Sequence, residues 1–324
     1  MGILFLTPAL KETIWGGNRI RSDFGMETDL KNIAEAWVLS CHEDGESIVT
    51  GGKYDGKTLS DVLEKELGME ALGTNCKCES IEDFPILIKL IDADDKLSVQ
   101  VHPDDEYAAA HEKDVRGKTE AWYIIDCDDD AELIYGFKED ITKEEFRASI
   151  ENGTLLDKVN RAKVKPGDVA FISSGTLHAI GKGILLAEVQ QSCNTTYRVF
   201  DYNRTGLDGK PRELHVAKAV DVTNCAVPEG SLEPEGMPVK HDGYVSILLS
   251  ECPYFTMTSV DVETLYADDA DETSFVSLIV LDGNGKIKCG DEEYDIKKGD
   301  SIFIPAASGS YYVSGNVKLL QSRI

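Results

Sequence analysis

One turn-and-strand unit occurs twice in this chain, and that recurrence constrains the fold more than any other feature. Val164-Lys165-Pro166-Gly167-Asp168-Val169-Ala170-Phe171-Ile172-Ser173 aligns without gaps with Ile296-Lys297-Lys298-Gly299-Asp300-Ser301-Ile302-Phe303-Ile304-Pro305. A lysine, the Gly-Asp pair, a phenylalanine and an isoleucine recur in register. In each copy Gly-Asp makes a turn that feeds an apolar, β-prone run. At the same distance past each aspartate the first copy presents His178 and the second Ser310. The two halves are therefore expected to share a fold, with a metal-capable side chain at this position in the first copy alone.

The surrounding pattern is one of short strands. Glu35 to Ser40 and Phe84 to Asp92 read as strands, the second nearly all apolar except Lys89. A lysine in a buried strand is costly unless it is paired or faces a polar cavity. Glu120 to Asp126 and Ala131 to Gly136 read as a hairpin with Asp128-Asp129-Asp130 at its tip, and Asp168–Ser173, Ile184–Gln190 and Thr195–Asp201 as further strands. His241 to Ile324 reads as a second run of short strands. Helical spacing is confined to Thr58–Leu67, Asp104–Glu112, Thr142–Asn152 and Arg212–Val220, with capping boxes at Thr58/Asp61 and Thr142/Glu145. The chain thus reads as all-β with a few short helices, in two jelly-roll barrels packed together. Residues 1–226 form the first unit, 227–240, rich in proline, glycine and glutamate, a linker or wrapping segment, and 241–324 the second unit.

The formal charge of −26 argues against nucleic acid or an anionic membrane as partner. An anionic substrate would need a local cationic pocket within that field. No apolar run approaches a membrane span, and Met1 to Leu10 lacks a secretory signal pattern, so a cytoplasmic chain is expected. The eight cysteines form no C-x-x-C pair and read as free thiols.

Chemistry-bearing residues gather around Leu97-Ser98-Val99-Gln100-Val101-His102-Pro103-Asp104. Alternation puts Ser98, Gln100 and His102 on one strand face. A polar stripe of this kind is ordinary on a solvated sheet. What raises its standing is Glu120, which opens a strand after Gly117-Lys118-Thr119, and His178 after the first Gly-Asp strand. An amide oxygen, a carboxylate and two imidazoles suit a borderline cation such as Zn²⁺ with room for water or substrate. Glu188 points inward if its strand alternates with Leu186 and Gln190.

The sequence resembles the cupin proteins, and within them the type I mannose-6-phosphate isomerases in their short bacterial form. The resemblance rests on Trp15-Gly16-Gly17, Glu35-Ala36-Trp37 with Ser40 and His42, Phe84-Pro85 with Lys89, Ser98 to Asp104, Gly117 to Tyr123, Gly175 to Ala179, Thr196 to Asp201 and Gly209 to Val222, in family order. It implies two cupin barrels and one Zn²⁺ per chain held by Gln100, His102, Glu120 and His178. It also implies an active-site arginine at Arg198, and Ser98 and Lys118 beside the sugar phosphate. The implied reaction interconverts D-mannose 6-phosphate and D-fructose 6-phosphate through an enediol(ate), in a monomer or homodimer. Arg198, Lys118 and Glu188 are the candidate catalytic residues, Glu188 as the base. Ser173 and Tyr202 depart from common family residues, and the large helical insertion of longer members is absent.

Two other readings compete. A non-catalytic sugar-phosphate-binding or regulatory cupin would be expected to lose a ligand or the arginine, and this chain retains both. An iron cupin oxygenase would be expected to show H-x-H where this chain has Gln100-Val101-His102. Among the remaining histidines, His42 lies in a family-like segment and is a candidate to line the pocket, against an ordinary structural role, and His111, His215 and His241 are expected to be surface or core residues.

Overall fold

The computed structural model describes residues 2–113 and 116–324, so Met1 of the N-terminal run lies outside it. The strands form three antiparallel sheets. A six-stranded sheet runs in the order Val169–Ile172, Glu120–Cys127, Ile184–Gln191, Ile86–Ala93, Glu35–Leu39, Ala9–Lys11. A five-stranded sheet runs Tyr197–Phe200, Val99–Val101, His178–Ile180, Glu132–Phe137, Val159–Lys163. These two enclose the first barrel. A ten-stranded sheet surrounds the apolar core of the second, which includes Val260, Val280, Ile287, Tyr311 and Leu319. Leu4–Thr7 pairs with Ser301–Ile304 and with Ile48–Thr50, so the second sheet contains strands from both ends of the chain.

The six-stranded sheet is buried on both faces because it lies between the barrels. Along Ile184–Gln191, Leu185, Ala187 and Val189 join a core shared with Leu249, Phe255, Phe275 and Phe303 of the second barrel. Ile184 and Leu186 instead face Trp122, Leu133 and Tyr135 inside the first barrel. Ile86–Ala93 alternates the same way, and every residue of it is buried. Each large side chain so removed from water contributes about 1.5–3 kcal/mol, which holds the two barrels together.

The repeated unit folds alike in both copies. Gly167 and Gly299 turn at φ 95° and 96°, which L side chains adopt only with strain. The Gly167 N–H donates to the Ile124 carbonyl and the Gly299 N–H to the Val280 carbonyl, each at 2.9 Å. Asp168 and Asp300 each accept the backbone N–H of the lysine three residues earlier, at 2.9 Å.

Three expectations need correction. The strands Glu120–Cys127 and Glu132–Phe137 do not form a hairpin, for they lie in different sheets. Trp122 and Ile124 on one, and Leu133 and Tyr135 on the other, fill the same core from opposite sides, which side-by-side pairing would prevent. The acidic turn is the crossing, with the Asp128 N–H held by the Gly183 carbonyl at 2.9 Å. The helix expected over Arg212–Val220 spans Val216–Val222, because Arg212 is drawn away to pair with Asp201 at 2.6 Å. The second half is not made solely of short strands: Val276–Cys289 and Gly309–Arg323 are long, and the first bends at a register shift between Val280 and Asp282.

Candidate active site

Sheet register assembles the site. Antiparallel partners point to the same face, and Gln100 lies between His178 on one side and Arg198 on the other. Val99 and Val101 face the opposite way into apolar packing, which turns Ser98, Gln100 and His102 inward. On the six-stranded sheet a second row runs Trp37, Lys89, Glu188, Trp122, and Gln190 pairs with Glu120 beside it. The two sheets bring their rows face to face across the barrel.

His102, Glu120 and His178 meet at the centre, with one ligand atom of each within 4.8 Å of the others. Glu120 Oε1 lies 3.3 Å from His178 Nε2 and 3.8 Å from His102 Nε2. All three residues are at most 1 % exposed. His102 Nδ1–H donates to the Thr195 carbonyl at 2.8 Å and His178 Nδ1–H to the Thr176 carbonyl at 2.9 Å. A carbonyl only accepts, so both protons sit on Nδ1 and both Nε2 lone pairs face the centre. Burial, then the Lys118 charge, drives His102 well below the usual imidazole range and His178 down to about 3. The rings are neutral, as metal ligands must be.

Glu120 Oε1 is fully buried and accepts no hydrogen bond. Oε2 meets the Lys118 ammonium as an ion pair. A buried carboxylate oxygen left without a donor is costly, and a cation held between Oε1 and the two imidazole lone pairs would satisfy it. The Gln100 amide, 3.4 Å from His178 Nε2, can add an oxygen on a flip of its side chain. The residues present therefore fit a borderline divalent metal.

Cations surround this centre within an acidic protein. Lys118 Nζ is 3.4 Å from His102 Nε2 and 3.5 Å from Glu188 Oε1, and burial pulls its ammonium down to about 8. Burial pushes the Glu188 carboxyl up, but Lys118, Lys89 and the Trp122 N–H at 2.9 Å outweigh it and bring it to about 2. Lys89, conspicuous in the sequence, lies 3.3 Å from Glu188 and 3.5 Å from Glu35. Arg198 Nε donates to Ser98 Oγ at 3.1 Å and its Nη1 to the Glu213 carbonyl at 3.1 Å. No carboxylate pairs with Arg198 among the described residues, whereas neighbouring Arg204 and Arg212 are both held by Asp201.

Sequence reasoning missed Glu35, Gln190 and the two carbonyls that orient the histidines. Backbone acceptors carry no residue signature. His215 accepts the Arg198 backbone N–H on Nδ1 at 3.3 Å, which places it nearer the site than expected. His42 lines a cavity of about 940 Å³ that shares Thr195 with the site, and its ring meets Trp37 edge-on. His111 and His241 stack on Tyr107 and Tyr244 away from the centre.

Comparisons with known proteins agree with this architecture. Residues 3–135 match the family "Phosphomannose isomerase type I, catalytic domain", and residues 246–324 match "Mannose-6-phosphate isomerase, cupin domain". The chain is 41% identical to Mannose-6-phosphate isomerase ManA of Bacillus subtilis, over 99% of this chain and 98% of that protein. It is 38% identical to the mannose-6-phosphate isomerase of Streptococcus mutans, over 98% and 97%. The crystal structure of the Bacillus subtilis mannose 6-phosphate isomerase superposes with a TM-score of 0.91 at 37% identity, covering 100% of both chains. A putative mannosephosphate isomerase from Archaeoglobus fulgidus, 24% identical with a TM-score of 0.78 over 99% and 98%, shares the fold. With relatives this similar along its whole length, the chain belongs to the type I mannose-6-phosphate isomerase family.

Proposed function

We propose that this protein is a zinc-dependent isomerase that interconverts D-mannose 6-phosphate and D-fructose 6-phosphate, with one Zn²⁺ per chain. The observation that carries the reading is the buried His102–Glu120–His178 centre, with Glu120 Oε1 lacking a hydrogen bond and Arg198 and Lys118 beside it. Similarity to relatives named for this activity supports the substrate pair.

Gln100, His102, Glu120 and His178 would hold the metal, which when bound supplies Lewis acidity toward the sugar oxygens. Among the described residues no carboxylate takes the Arg198 donors, so it can take the phosphate or the negative charge that develops in the enediol(ate). Ser98, fixed by Arg198 Nε, orients that guanidinium. A proton must leave C2 and return at C1. Glu188, as the base, and Lys118, whose Nζ lies 3.5 Å from it, are assigned to that transfer. Water is kept out by the depth of the centre. On this reading residues 1–226 carry the chemistry, 227–240 wrap the first barrel and 241–324 support it. The thiol-rich chain works in the cytoplasm as a monomer or homodimer.

The test couples an isomerase assay on mannose 6-phosphate to metal analysis. Full activity in a chelated, metal-free sample would remove the zinc mechanism. Hexose phosphate binding without exchange of the C2 proton into solvent would favour a non-catalytic cupin.

A further inference from the structure

We propose that the second barrel sets the geometry of the site through Tyr254, which fixes the Gly117–Glu120 segment by way of Asp105. Tyr254 precedes the Thr256–Val262 strand of the second barrel, and its hydroxyl donates to Asp105 Oδ2 at 2.7 Å. Asp105 Oδ1 accepts the Gly117 N–H at 2.8 Å and Gln191 Nε2 at 2.9 Å. Gln191 Oε1 in turn accepts the Thr119 N–H at 2.9 Å. The Lys118 N–H between them goes to the Pro103 carbonyl at 3.0 Å. Three successive amides leading into Glu120 are thus pinned, two of them by a carboxylate–amide pair that the Tyr254 hydroxyl orients. The approach is close: a Cβ on Gly117 would lie 2.6 Å from the backbone of Asp104 and Asp105. Tyr254, Asp105 and Gln191 are positioning residues, and they act only through the segment that carries Lys118 and Glu120. The inference rests on the reading that those two belong to the active site.

Tyr254→Phe keeps the ring and removes the hydroxyl. Hydrogen exchange of the metal-free full chain should show the Gly117 and Thr119 amides opening about 5-fold faster, as expected for loss of one hydrogen bond. In the loaded enzyme the cobalt-substituted visible spectrum should change and kcat should fall with KM little altered. Asp105→Asn should reproduce these effects, and adding Tyr254→Phe to it should do nothing more. Unchanged exchange at 117–119 with an unchanged cobalt spectrum would overturn the proposal. A wild-type chain without isomerase activity would refute the functional reading instead, while the exchange measurement would still decide this one.

A separate observation carries a second inference. Cys78 Sγ lies 2.7 Å from Cys76 Sγ and 2.7 Å from the Asp83 carbonyl oxygen. Both cysteines are partly exposed. We infer that this pair is a redox site for low-molecular-weight disulfides. The Cys76 thiolate attacks one sulfur of the small disulfide and expels one thiolate. Cys78, as thiolate, then attacks the Cys76 sulfur, closes the Cys76–Cys78 bond and expels the second, the two protein protons ending on the two released thiols. Burial pushes the thiols of Cys41, Cys127, Cys225, Cys252 and Cys289 up, whereas the hydrogen bond from Cys78 brings Cys76 down and holds Cys78 itself up, so Cys76 is the thiol that attacks first. After treatment of the full chain with oxidised glutathione and alkylation, the peptide spanning 76–78 should lose the mass of two hydrogens before other cysteines react. Cys78→Ser should trap glutathione on Cys76. Retention of both thiols while other cysteines react, or no adduct in Cys78→Ser, would overturn it.

Discussion

Replacing Lys89 by methionine tests the polar row inside the first barrel. The Lys89 side chain is 6% exposed and lies 3.3 Å from Glu188 and 3.5 Å from Glu35. Burial pushes this ammonium down, but the two carboxylates outweigh it and raise it above the usual lysine range, so it is charged at neutral pH. Removing one partner from a buried ion pair costs about 3–5 kcal/mol. The structure points to the lower end. Glu188 would keep Lys118 at 3.5 Å and the Trp122 N–H at 2.9 Å, and Glu35 would keep the Trp37 N–H at 2.7 Å. Lys89→Met is therefore expected to lose about 3 kcal/mol in urea unfolding and about 4 °C in melting temperature. In the double variant with Glu188→Gln the losses should fall short of additivity by about 1 kcal/mol or more, since one side chain's loss relieves the other's. A single-variant loss below about 1 kcal/mol, or strict additivity, would refute the claim that this row is held by ion pairing.

Other perturbations reach the site and its surroundings. Arg198→Lys keeps a charge but loses the fork, and kcat/KM for mannose 6-phosphate should fall about 100-fold with metal content unchanged. Glu120→Gln should remove metal during dialysis, read by elemental analysis, while circular dichroism retains the β signature. Gly117→Ala forces a Cβ against the Asp104–Asp105 backbone and should lower kcat in the steady-state assay. Arg212 and Arg204 outweigh burial and hold the Asp201 carboxyl below its usual range. That interaction stabilises the fold above the ordinary carboxylate range and is lost as pH falls through the depressed value. The stability advantage of wild type over Asp201→Asn, measured by urea unfolding, should accordingly be full at neutral pH and shrink on acidification.

Local sequence determined much of this. Alternation fixed which way Ser98, Gln100 and His102 face, because side-chain direction in a strand has a period of two and needs no knowledge of the partner strand. The Gly-Asp repeat announced two like-folded halves, because a glycine at positive φ and an aspartate capping its own turn interact within a few residues. Lys89, anomalous in an apolar run, signalled a buried polar row, since an unpaired charge there is prohibitively costly. What tertiary structure alone decided is which strands meet. Glu120 and Glu132 open strands that read as a hairpin, yet they lie in opposing sheets because both must fill one core. The Thr195 and Thr176 carbonyls that set the histidine tautomers could be any residue's carbonyl, so no side chain marks them. Tyr254 reaches Asp105 from the other barrel, and Leu4–Thr7 crosses to pair with Ser301–Ile304. Such contacts join residues far apart along the chain. Shared burial and sheet closure select them, and no local preference records that choice.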